Sequence, residues 1–337
     1  CHSHCGRIAG KPRVGKWRMN RYVPLIEVVR GKVNESQHSG AFVRLDTHGA
    51  VVAQLGDVAA PMYPRSTVKL IQTAAMVDHG LELEPRLLAL VASSHSGGDE
   101  HARGVEVILN QYGLSLELLQ CTPFLPLGSR EKAKYVASGG SASHVRADCS
   151  GKHAGFLATC VINGWSTHDY LDIEHPLQQA IKQAIEGATG DLADNVTVDG
   201  CGAPLWTISL HGLARSYHRA VTESESALRR VANAMREYPD MVGGSQREAT
   251  IIMQQVPGVV AKDGADGVFV AARESGEAVA LKIGDGGRRG MTAAVATLMQ
   301  AWGATDLGEL PLAPPMGAGR VVGELVATSA LRQALAD

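Results

Sequence analysis

The sequence predicts an α+β fold in which an antiparallel sheet carries a separate lobe of helices. Strand-like segments occur near both ends of the chain, and helical patterns fill residues 80–255 between them. Strands and helices that are segregated along a chain are typical of α+β folds, whereas regular alternation would favour a parallel sheet. We therefore expect a hairpin from each end of the chain to join in one antiparallel sheet.

The amino-terminal hairpin is predicted from three short runs that are rich in β-branched and other apolar residues. These runs span residues 25–30, 41–46 and 50–55. Thr47-His48-Gly49 separates the last two runs, and a short polar segment that ends in glycine is typical of a hairpin turn.

The first helix is predicted at residues 67–78, directly after a turn that contains two prolines. Further helix-sized apolar repeats follow, separated by loops that contain Gly, Ser, Asp and Pro. They are predicted at residues 84–92, 100–112, 114–119, 130–137, 151–163, 176–186, 210–219, 224–238 and 246–255.

Strand signals return near the carboxyl end, at residues 267–272 and 278–283. A long helix is predicted at residues 289–302 and a short one near residues 323–335. The middle helices would form the lobe, and we expect a cleft where the lobe meets the sheet.

The composition is that of an ordinary globular protein. The chain has 337 residues, of which 45% are hydrophobic and 20% charged, with a formal net charge of −2. Such a charge does not favour nucleic acid or an anionic membrane as a partner, and the sequence contains no apolar run of the roughly 20 residues that span a bilayer. The six cysteines are too few for a disulfide scaffold, so we expect reduced thiols and a cytoplasmic location.

Residues 1–20 differ from the rest of the chain. Cys1-His2-Ser3-His4-Cys5 contains metal-binding residue types, but its close spacing suits few coordination geometries. A basic stretch without hydrophobic periodicity follows. We expect a disordered or non-native extension here and a single domain over residues 21–337.

The stretch Arg65-Ser66-Thr67-Val68-Lys69 carries the first candidate site. Because it opens a predicted helix, Ser66 and Lys69 lie three residues apart on one helix face. Free backbone N–H groups at a helix start favour negative charge, and a hydroxyl beside an amine is what a serine nucleophile with a lysine base requires. The spacing also arises by chance, and an exposed Ser/Lys pair is the alternative interpretation.

Four further stretches place reactive residues beside glycine. Ser94 lies in a small polar loop that either admits a ligand or caps the next helix. Cys149 and Lys152 lie at a predicted helix start and Cys201 in a turn, where the thiols either bind a soft metal such as zinc or are simply buried. Lys262 lies in a Gly-rich turn before a strand, facing either the cleft or the solvent.

In this order, these stretches resemble the asparaginase II family, the class 3 or rhizobial-type asparaginases. The resemblance covers residues 23–302, and its most specific part is Cys149-Ser150-Gly151-Lys152-His153-Ala154-Gly155. It also includes Glu35-Ser36-Gln37-His38, Arg65-Ser66-Thr67-Val68-Lys69, Ser93-Ser94-His95-Ser96-Gly97, His175-Pro176, Asp199-Gly200-Cys201-Gly202-Ala203-Pro204, Tyr238-Pro239-Asp240-Met241-Val242-Gly243-Gly244, Lys262-Asp263-Gly264-Ala265-Asp266-Gly267 and Leu281-Lys282-Ile283-Gly284-Asp285-Gly286.

The resemblance implies a fold similar to that of the serine β-lactamases and glutaminases. It implies hydrolysis of the side-chain amide of L-asparagine to aspartate and ammonia, without a cofactor that the chemistry requires. Carried over to this sequence, it also implies two Ser-Lys pairs, Ser66 with Lys69 and Ser94 with Lys262.

The resemblance further implies a zinc site formed by Cys149, Lys152 and Cys201, with a structural or substrate-orienting role. The family's dimers imply a homodimer. Arg65 and Asp199 are candidates for binding the carboxylate and the amine of the substrate, and a structural salt bridge is the alternative for each.

Two other functions stay open. Penicillin-recognising serine hydrolases also use Ser-x-x-Lys, but the Ser-Asp-Asn and Lys-Thr-Gly companions of that class are absent from the sequence. A non-catalytic zinc-binding or amino-acid-binding protein of the same fold would lack a working Ser-Lys pair. Release of ammonia separates the asparaginase from the binding protein, and hydrolysis of a β-lactam separates the two enzymes.

Overall fold

The computed structural model describes residues 21–336, and the extension predicted at residues 1–20 lies outside them. The strands are β1 (Val23–Arg30), β2 (Val33–Leu45), β3 (Val51–Leu55), β4 (Val196–Val198), β5 (Pro204–Trp206), β6 (Val259–Gly264), β7 (Val268–Arg273), β8 (Ala278–Ile283), β9 (Met316–Gly317), β10 (Arg320–Val321) and β11 (Gly323–Ala327). The helices are α1 (Lys69–Asp78), α2 (Pro85–Val91), α3 (Asp99–Gln111), α4 (Ser129–Ala137), α5 (Ser150–Asn163), α6 (Pro176–Thr189), α7 (Leu210–Thr222), α8 (Ala227–Glu237), α9 (Pro239–Gly243), α10 (Glu248–Gln255), α11 (Arg288–Ala301) and α12 (Ser329–Leu335).

The main sheet has the strand order β11-β1-β2-β8-β7-β6, and β3 also pairs with β2. Every pairing in it is antiparallel. Strand β2 of the amino-terminal hairpin pairs with β8 of the carboxy-terminal hairpin. The predicted α+β fold, with one antiparallel sheet made from both ends of the chain and a lobe of helices, is confirmed.

Helices cover this sheet and build the lobe beside it. Helix α7 contacts β2, β7 and β8, whereas α11 contacts β1, β8 and β11. Strands β6 and β7 are buried along almost their whole length, as expected for strands that are covered on both faces. None of the helices within residues 21–336 has the length and apolar character that a membrane crossing needs.

The structure contains strands that were not predicted, namely β4, β5, β9, β10 and the first part of β2. Two other segments differ from the structure predicted for them. Residues Lys262-Asp263-Gly264 predict a turn, but they belong to β6. Residues 323–327 were expected in a helix, and they form β11, which pairs with β1. Glycine and charged residues lower the strand propensity of both segments, and pairing within the folded sheet overrides that local preference.

Most predicted helices are present, with ends that differ by a few residues. Residues 114–119 form only a 3₁₀ turn at Leu116–Leu118. The helix predicted from residue 224 begins at Ala227, because the hydroxyl of Ser226 accepts a hydrogen bond from the backbone and caps the first turn.

Helix α5 approaches α2 very closely at its first turns. A Cβ added to Gly151 would stand 2.3 Å from the carbonyl oxygen of Leu90. One turn later, a Cβ at Gly155 would stand 2.7 Å from a methyl group of Val91. The absence of a side chain at these two positions therefore permits the close approach of the two helices. This contact with α2 fixes the position of the start of α5, directly after Cys149.

Replacing Gly151 by alanine is expected to lower the free energy of unfolding by about 2 kcal/mol, because the new methyl group must displace the backbone of Leu90. Gly187 in α6 is the matched control, since a Cβ there meets no atom within 4 Å. Alanine is favoured over glycine in a helix by about 1 kcal/mol, so G187A should keep or raise the stability. Equilibrium unfolding in urea measures both variants, and equal stabilities would contradict the packing argument.

Candidate active site

Most of the residues predicted for the site line one cavity of about 420 Å³, at the junction between the helical lobe and strand β6. The exceptions are Lys152 and Lys262, which are buried and contact residues of the cavity wall. The predicted residues that line the cavity are Arg65, Ser66, Lys69, Ser94, Cys149, Asp199 and Cys201.

The turn that carries Ser66 lies against strand β6. Residues Arg65–Val68 form a 3₁₀ turn that continues into α1 at Lys69. Gly264 of β6 permits the close contact, because a Cβ there would lie 3.1 Å from the carbonyl oxygen of Pro64. Ser66 therefore reaches the cavity from the line where lobe and sheet meet.

The amine of Lys69 connects this turn to the loop that carries Ser94. Its Nζ donates to the carbonyl oxygen of Ser93 at 2.6 Å and to Oγ of Ser94 at 3.0 Å. The carboxylate of Asp148 lies 4.0 Å away. The sequence predicts that Ser94 pairs with Lys262, whereas the structure pairs it with Lys69, because the Ser94 loop folds over the start of α1.

Buried hydrogen bonds fix the loop around Ser94. The backbone N–H of His95 donates to the carbonyl oxygen of Asp148 at 3.0 Å. Nδ1 of His95 accepts from the N–H of Gly97, so Nε2 carries the proton and donates to Oγ of Ser150 at 2.9 Å. Burial lowers the pKa of His95 well below its usual value, and the neutral ring ties the loop to the start of α5.

Lys262 is a buried amine whose pKa is lowered. Its Nζ donates to the carbonyl oxygen of Asp263 at 2.7 Å. Complete burial lowers the pKa of Lys262 to about 8; the Asp263 carboxylate opposes this shift, and the charges of Lys69 and Arg247 add to it. The neutral form of Lys262 is therefore accessible near neutral pH.

Asp263 forms a buried ion pair with Arg247, and its carboxylate also lies 3.5 Å from the amine of Lys262. Burial alone would raise the pKa of Asp263, but the charges of Arg247 and Lys262 outweigh it and hold the pKa far below its usual range. A buried carboxylate thus lies between the partly buried guanidinium of Arg247 and the buried amine of Lys262 at the edge of the cavity.

Arg65 has a left-handed backbone conformation, with a φ of 53°. This conformation is unfavourable by roughly 1 kcal/mol for a residue other than glycine. Two ion pairs hold the guanidinium: Nε donates to Asp199 at 2.8 Å, and a second nitrogen donates to Asp266. The salt bridge that the sequence left open for Arg65 and Asp199 is therefore present, and both residues line the cavity.

Sulfur and nitrogen donors gather at one wall of the cavity, which Cys149 and Cys201 line. The ligand atoms of Cys149, His153 and Cys201 lie within 4.8 Å of one another. Nε2 of His153 is buried without a hydrogen bond of ordinary geometry, and Nδ1 contacts the hydroxyl of Tyr170 at 2.8 Å. Two thiols and an imidazole suit zinc, and a polar contact on the far ring nitrogen commonly orients a histidine ligand, so these residues fit a zinc ion.

Lys152, which the family resemblance implies as a ligand, lies beside this cluster. Its Nζ contacts Sγ of Cys201 at 3.3 Å. Burial opposes the charge of Lys152, but Cys201, Cys149 and Asp199 outweigh it and raise its pKa. A hydrogen bond with Cys149, together with the charge of Lys152, lowers the pKa of Cys201 well below its usual value.

The sequence did not single out several polar residues near the cavity. His153 belongs to the stretch Cys149–Gly155, Asp148 directly precedes that stretch and Asp263 directly follows Lys262, so their positions offered a signal. Arg247 and Arg288 also line the cavity, but no motif surrounds them. Only the tertiary structure brings these two arginines to the cavity.

Replacing Asp263 by asparagine is expected to lower the free energy of unfolding by about 3 kcal/mol at pH 7, because Arg247 and Lys262 lose their buried carboxylate. The folded-state pKa of Asp263 is depressed, so its contribution is complete above the unfolded pKa of about 3.9 and is lost as the pH falls below it. The difference between wild type and D263N should therefore shrink by about 1 kcal/mol at pH 3.

Urea denaturation at pH 7 and pH 3 measures this difference. The control is E106Q, in which an exposed carboxylate of α3 is neutralised and a change of less than about 0.5 kcal/mol is expected. A difference for D263N that stays constant or grows at pH 3 would contradict the role of the ion pair.

Comparisons with solved structures give distant similarities. A β-lactamase from Mycobacterium bovis has 14% identity and a TM-score of 0.42, with 74% of this chain and 88% of that chain aligned. A glutaminase from Bacillus subtilis has 14% identity and a TM-score of 0.35, with 78% of this chain and 87% of that chain aligned. No curated protein sequence matches the chain.

The sequence itself matches a protein family over most of its length. The family model described as L-asparaginase II aligns with residues 26–326. That range contains the turn with Ser66, the loop with Ser94, the cysteine cluster and strand β6. The resemblance inferred from the motifs is thus confirmed, and the chain belongs to the L-asparaginase II family of amidohydrolases.

Proposed function

We propose that the protein is an L-asparaginase, which hydrolyses the side-chain amide of L-asparagine to L-aspartate and ammonia through a Ser-Lys nucleophile. The family supports an amidohydrolase. One observation carries the finer assignment: the amine of Lys69 lies 3.0 Å from the hydroxyl of Ser94, in the cavity that Ser66 also lines. An amine that contacts one hydroxyl, in a cavity that a second hydroxyl also lines, can take a proton from one and return it through the other.

The proposed orientation of the substrate follows from its charges. Asparagine carries a carboxylate and an ammonium on one carbon, and the pair of Arg65 and Asp199 offers both complementary charges at one end of the cavity. In this proposal the guanidinium binds the carboxylate and Asp199 binds the ammonium. The side-chain amide is then directed toward Ser66 and Lys69.

Ser66 is the proposed nucleophile. Its Oγ attacks the amide carbon while a neutral lysine takes the hydroxyl proton, and backbone N–H groups of its 3₁₀ turn are candidates for stabilising the oxyanion. The proton then reaches the departing nitrogen through Lys69 and Ser94, and the C–N bond breaks. Water hydrolyses the resulting ester and releases aspartate. Lys262 supports this scheme because its pKa of about 8 supplies a neutral amine nearby.

Replacing Ser66 by alanine is expected to abolish ammonia release from L-asparagine, with a loss of more than about a thousandfold, because the nucleophile is removed. S94A keeps the nucleophile but loses the relay, so a loss of about a hundredfold is expected. Ser141, which is exposed and lies outside the cavity, supplies the control S141A. A coupled assay for ammonia with asparagine and glutamine measures all variants.

Full activity in S66A would rule out Ser66 as the nucleophile. A wild-type protein that releases no ammonia from either amide would support the non-catalytic zinc-binding or amino-acid-binding alternative. Hydrolysis of a chromogenic β-lactam, with asparagine left intact, would support a penicillin-recognising hydrolase instead.

We also propose a zinc site in which Cys149, Cys201 and His153 are the ligands, with Lys152 as the alternative third ligand that the family resemblance implies. The donor cluster and the buried Nε2 of His153 support it. A bound zinc ion would supply a fixed positive charge near the substrate, in a structural or orienting role that the Ser-Lys chemistry does not require.

Three variants test this site without reference to activity. C201S is expected to weaken zinc binding at least tenfold, since a thiolate ligand is lost. H153Q should weaken it similarly while K152M binds nearly as the wild type does; the reverse pattern would make Lys152 the ligand. Zinc affinity is measured by competition between the metal-stripped protein and a chromophoric chelator. Unchanged zinc affinity in all three variants would contradict the proposed zinc site.

The proposed function implies a small-molecule substrate, L-asparagine, as the partner. The homodimer and the cytoplasmic location inferred from the sequence stay predictions.

A further inference from the structure

The cavity has two ends, and each adjoins another cleft. One cleft, of about 480 Å³, shares with the cavity the ion-paired residues Arg65, Asp199 and Asp266. The other, of about 380 Å³, shares with it Leu127, Arg247 and Arg288. Within residues 21–336 the two clefts have no lining residue in common, so they mark separate ends. We call them the acidic end (Arg65, Asp199, Asp266) and the arginine end (Leu127, Arg247, Arg288).

The cavity is larger than free asparagine needs. Its volume of about 420 Å³ lies within the range of about 300–1,000 Å³ that is usual for sites of drug-sized ligands. The cleft at the arginine end extends this space further. A substrate that fills it carries a substituent beyond the amide.

One wall of the cavity is apolar, although the only apolar group of the asparagine side chain is a single methylene. Phe124, Leu125 and Leu127 of one loop line the cavity together with Met291. Phe124 is 59% exposed and Leu127 is 44% exposed. Large apolar side chains that are exposed together around a cleft are typical of a surface that a ligand covers.

The arginine end also has polar groups without partners. Nε of Arg247 is buried and has no hydrogen-bond partner among the described residues. The same is true of Oγ of Ser96, which is almost completely buried and lines the adjoining cleft. Arg288 uses Nε and Nη2 to bind Glu248, at 2.9 and 2.7 Å. Buried donors without acceptors are costly, and beside them the guanidinium of Arg288, whose side chain is 49% exposed, is accessible to a ligand carboxylate.

We propose that the site also hydrolyses secondary amides of aspartate whose nitrogen carries an apolar amino acid, that is, β-aspartyl dipeptides. The inference rests on the proposed function and on its substrate orientation. With the head group bound by Arg65 and Asp199 at the acidic end, the amide nitrogen points toward the arginine end. The apolar side chain of the leaving residue then contacts Phe124 and Leu127, and its carboxylate accepts hydrogen bonds at the arginine end.

The reaction balances with one molecule of water. Oγ of Ser66 forms a bond to the β-carbonyl carbon of the aspartyl group, and the C–N bond breaks. The nitrogen of the leaving amino acid takes the serine proton through Lys69 and Ser94. Water then hydrolyses the ester, giving aspartate and a free amino acid.

The probes are β-aspartyl-phenylalanine, β-aspartyl-glycine and L-asparagine. The wild-type protein is expected to release phenylalanine, with a kcat/KM at least tenfold above that for β-aspartyl-glycine, because the glycine leaves the apolar wall empty. In F124S and L127S, the ratio of kcat/KM for β-aspartyl-phenylalanine to that for asparagine should fall about tenfold. V136S, which changes an exposed valine of α4 outside the cavity, should keep the wild-type ratio.

The outcomes separate this inference from the function on which it rests. Ammonia from asparagine without phenylalanine from the dipeptide would overturn the inference and leave the proposed function intact. If the protein turns over neither asparagine nor β-aspartyl-phenylalanine, both this inference and the proposed function are wrong. Equal ratios in F124S, L127S and V136S, or equal rates with the two dipeptides, would overturn the role of the apolar wall.

Discussion

Three lysines, Lys69, Lys152 and Lys262, are among the largest fully buried side chains, and the architecture of the site depends on compensating their charges. An ammonium that leaves water loses several kcal/mol unless it finds acceptors. Each amine finds its own: the Ser93–Ser94 loop, a thiol, and a strand carbonyl beside a carboxylate. The acceptors of Lys69 and Lys152 come from segments distant in the sequence, so the lobe must fold before these two lysines can be buried. Lys262 instead uses the adjacent residue Asp263.

The start of α5 lies beside both the amine of Lys69 and the donor cluster of Cys149, His153 and Cys201. Asp148 lies 4.0 Å from the amine of Lys69, and its carbonyl oxygen accepts a hydrogen bond from His95. The next residue, Cys149, belongs to the donor cluster with His153 and Cys201. A shift of Cys149 is therefore transmitted through one peptide unit to the carboxylate beside Lys69. The close contact of Gly151 with α2 restricts such shifts, so helix packing and the positions of the charged groups are set together.

The sequence could predict what depends on local spacing. Ser66 and Lys69 are three residues apart on one turn, and the cysteine-lysine stretch is equally local. The partner of Ser94 could not be predicted, because it depends on a loop held by tertiary hydrogen bonds. Strand β6 was missed for a related reason. A Lys-Asp pair inside a buried strand is tolerated only because Arg247, from a distant segment, completes the charge balance.

The proposed reactivity of the site depends on Lys69 and Lys262 together. A lysine with the ordinary pKa of about 10.4 is neutral in fewer than roughly one in a thousand molecules at pH 7, whereas at a pKa of about 8 roughly one in ten is neutral. Lys262 has this lowered pKa, but it is Lys69 that contacts a serine. Burial is the main cause of that shift, and the charge of Lys69 adds to it. Burying Lys262 near other cations therefore costs stability and, through desolvation first and charge repulsion second, makes its neutral form accessible.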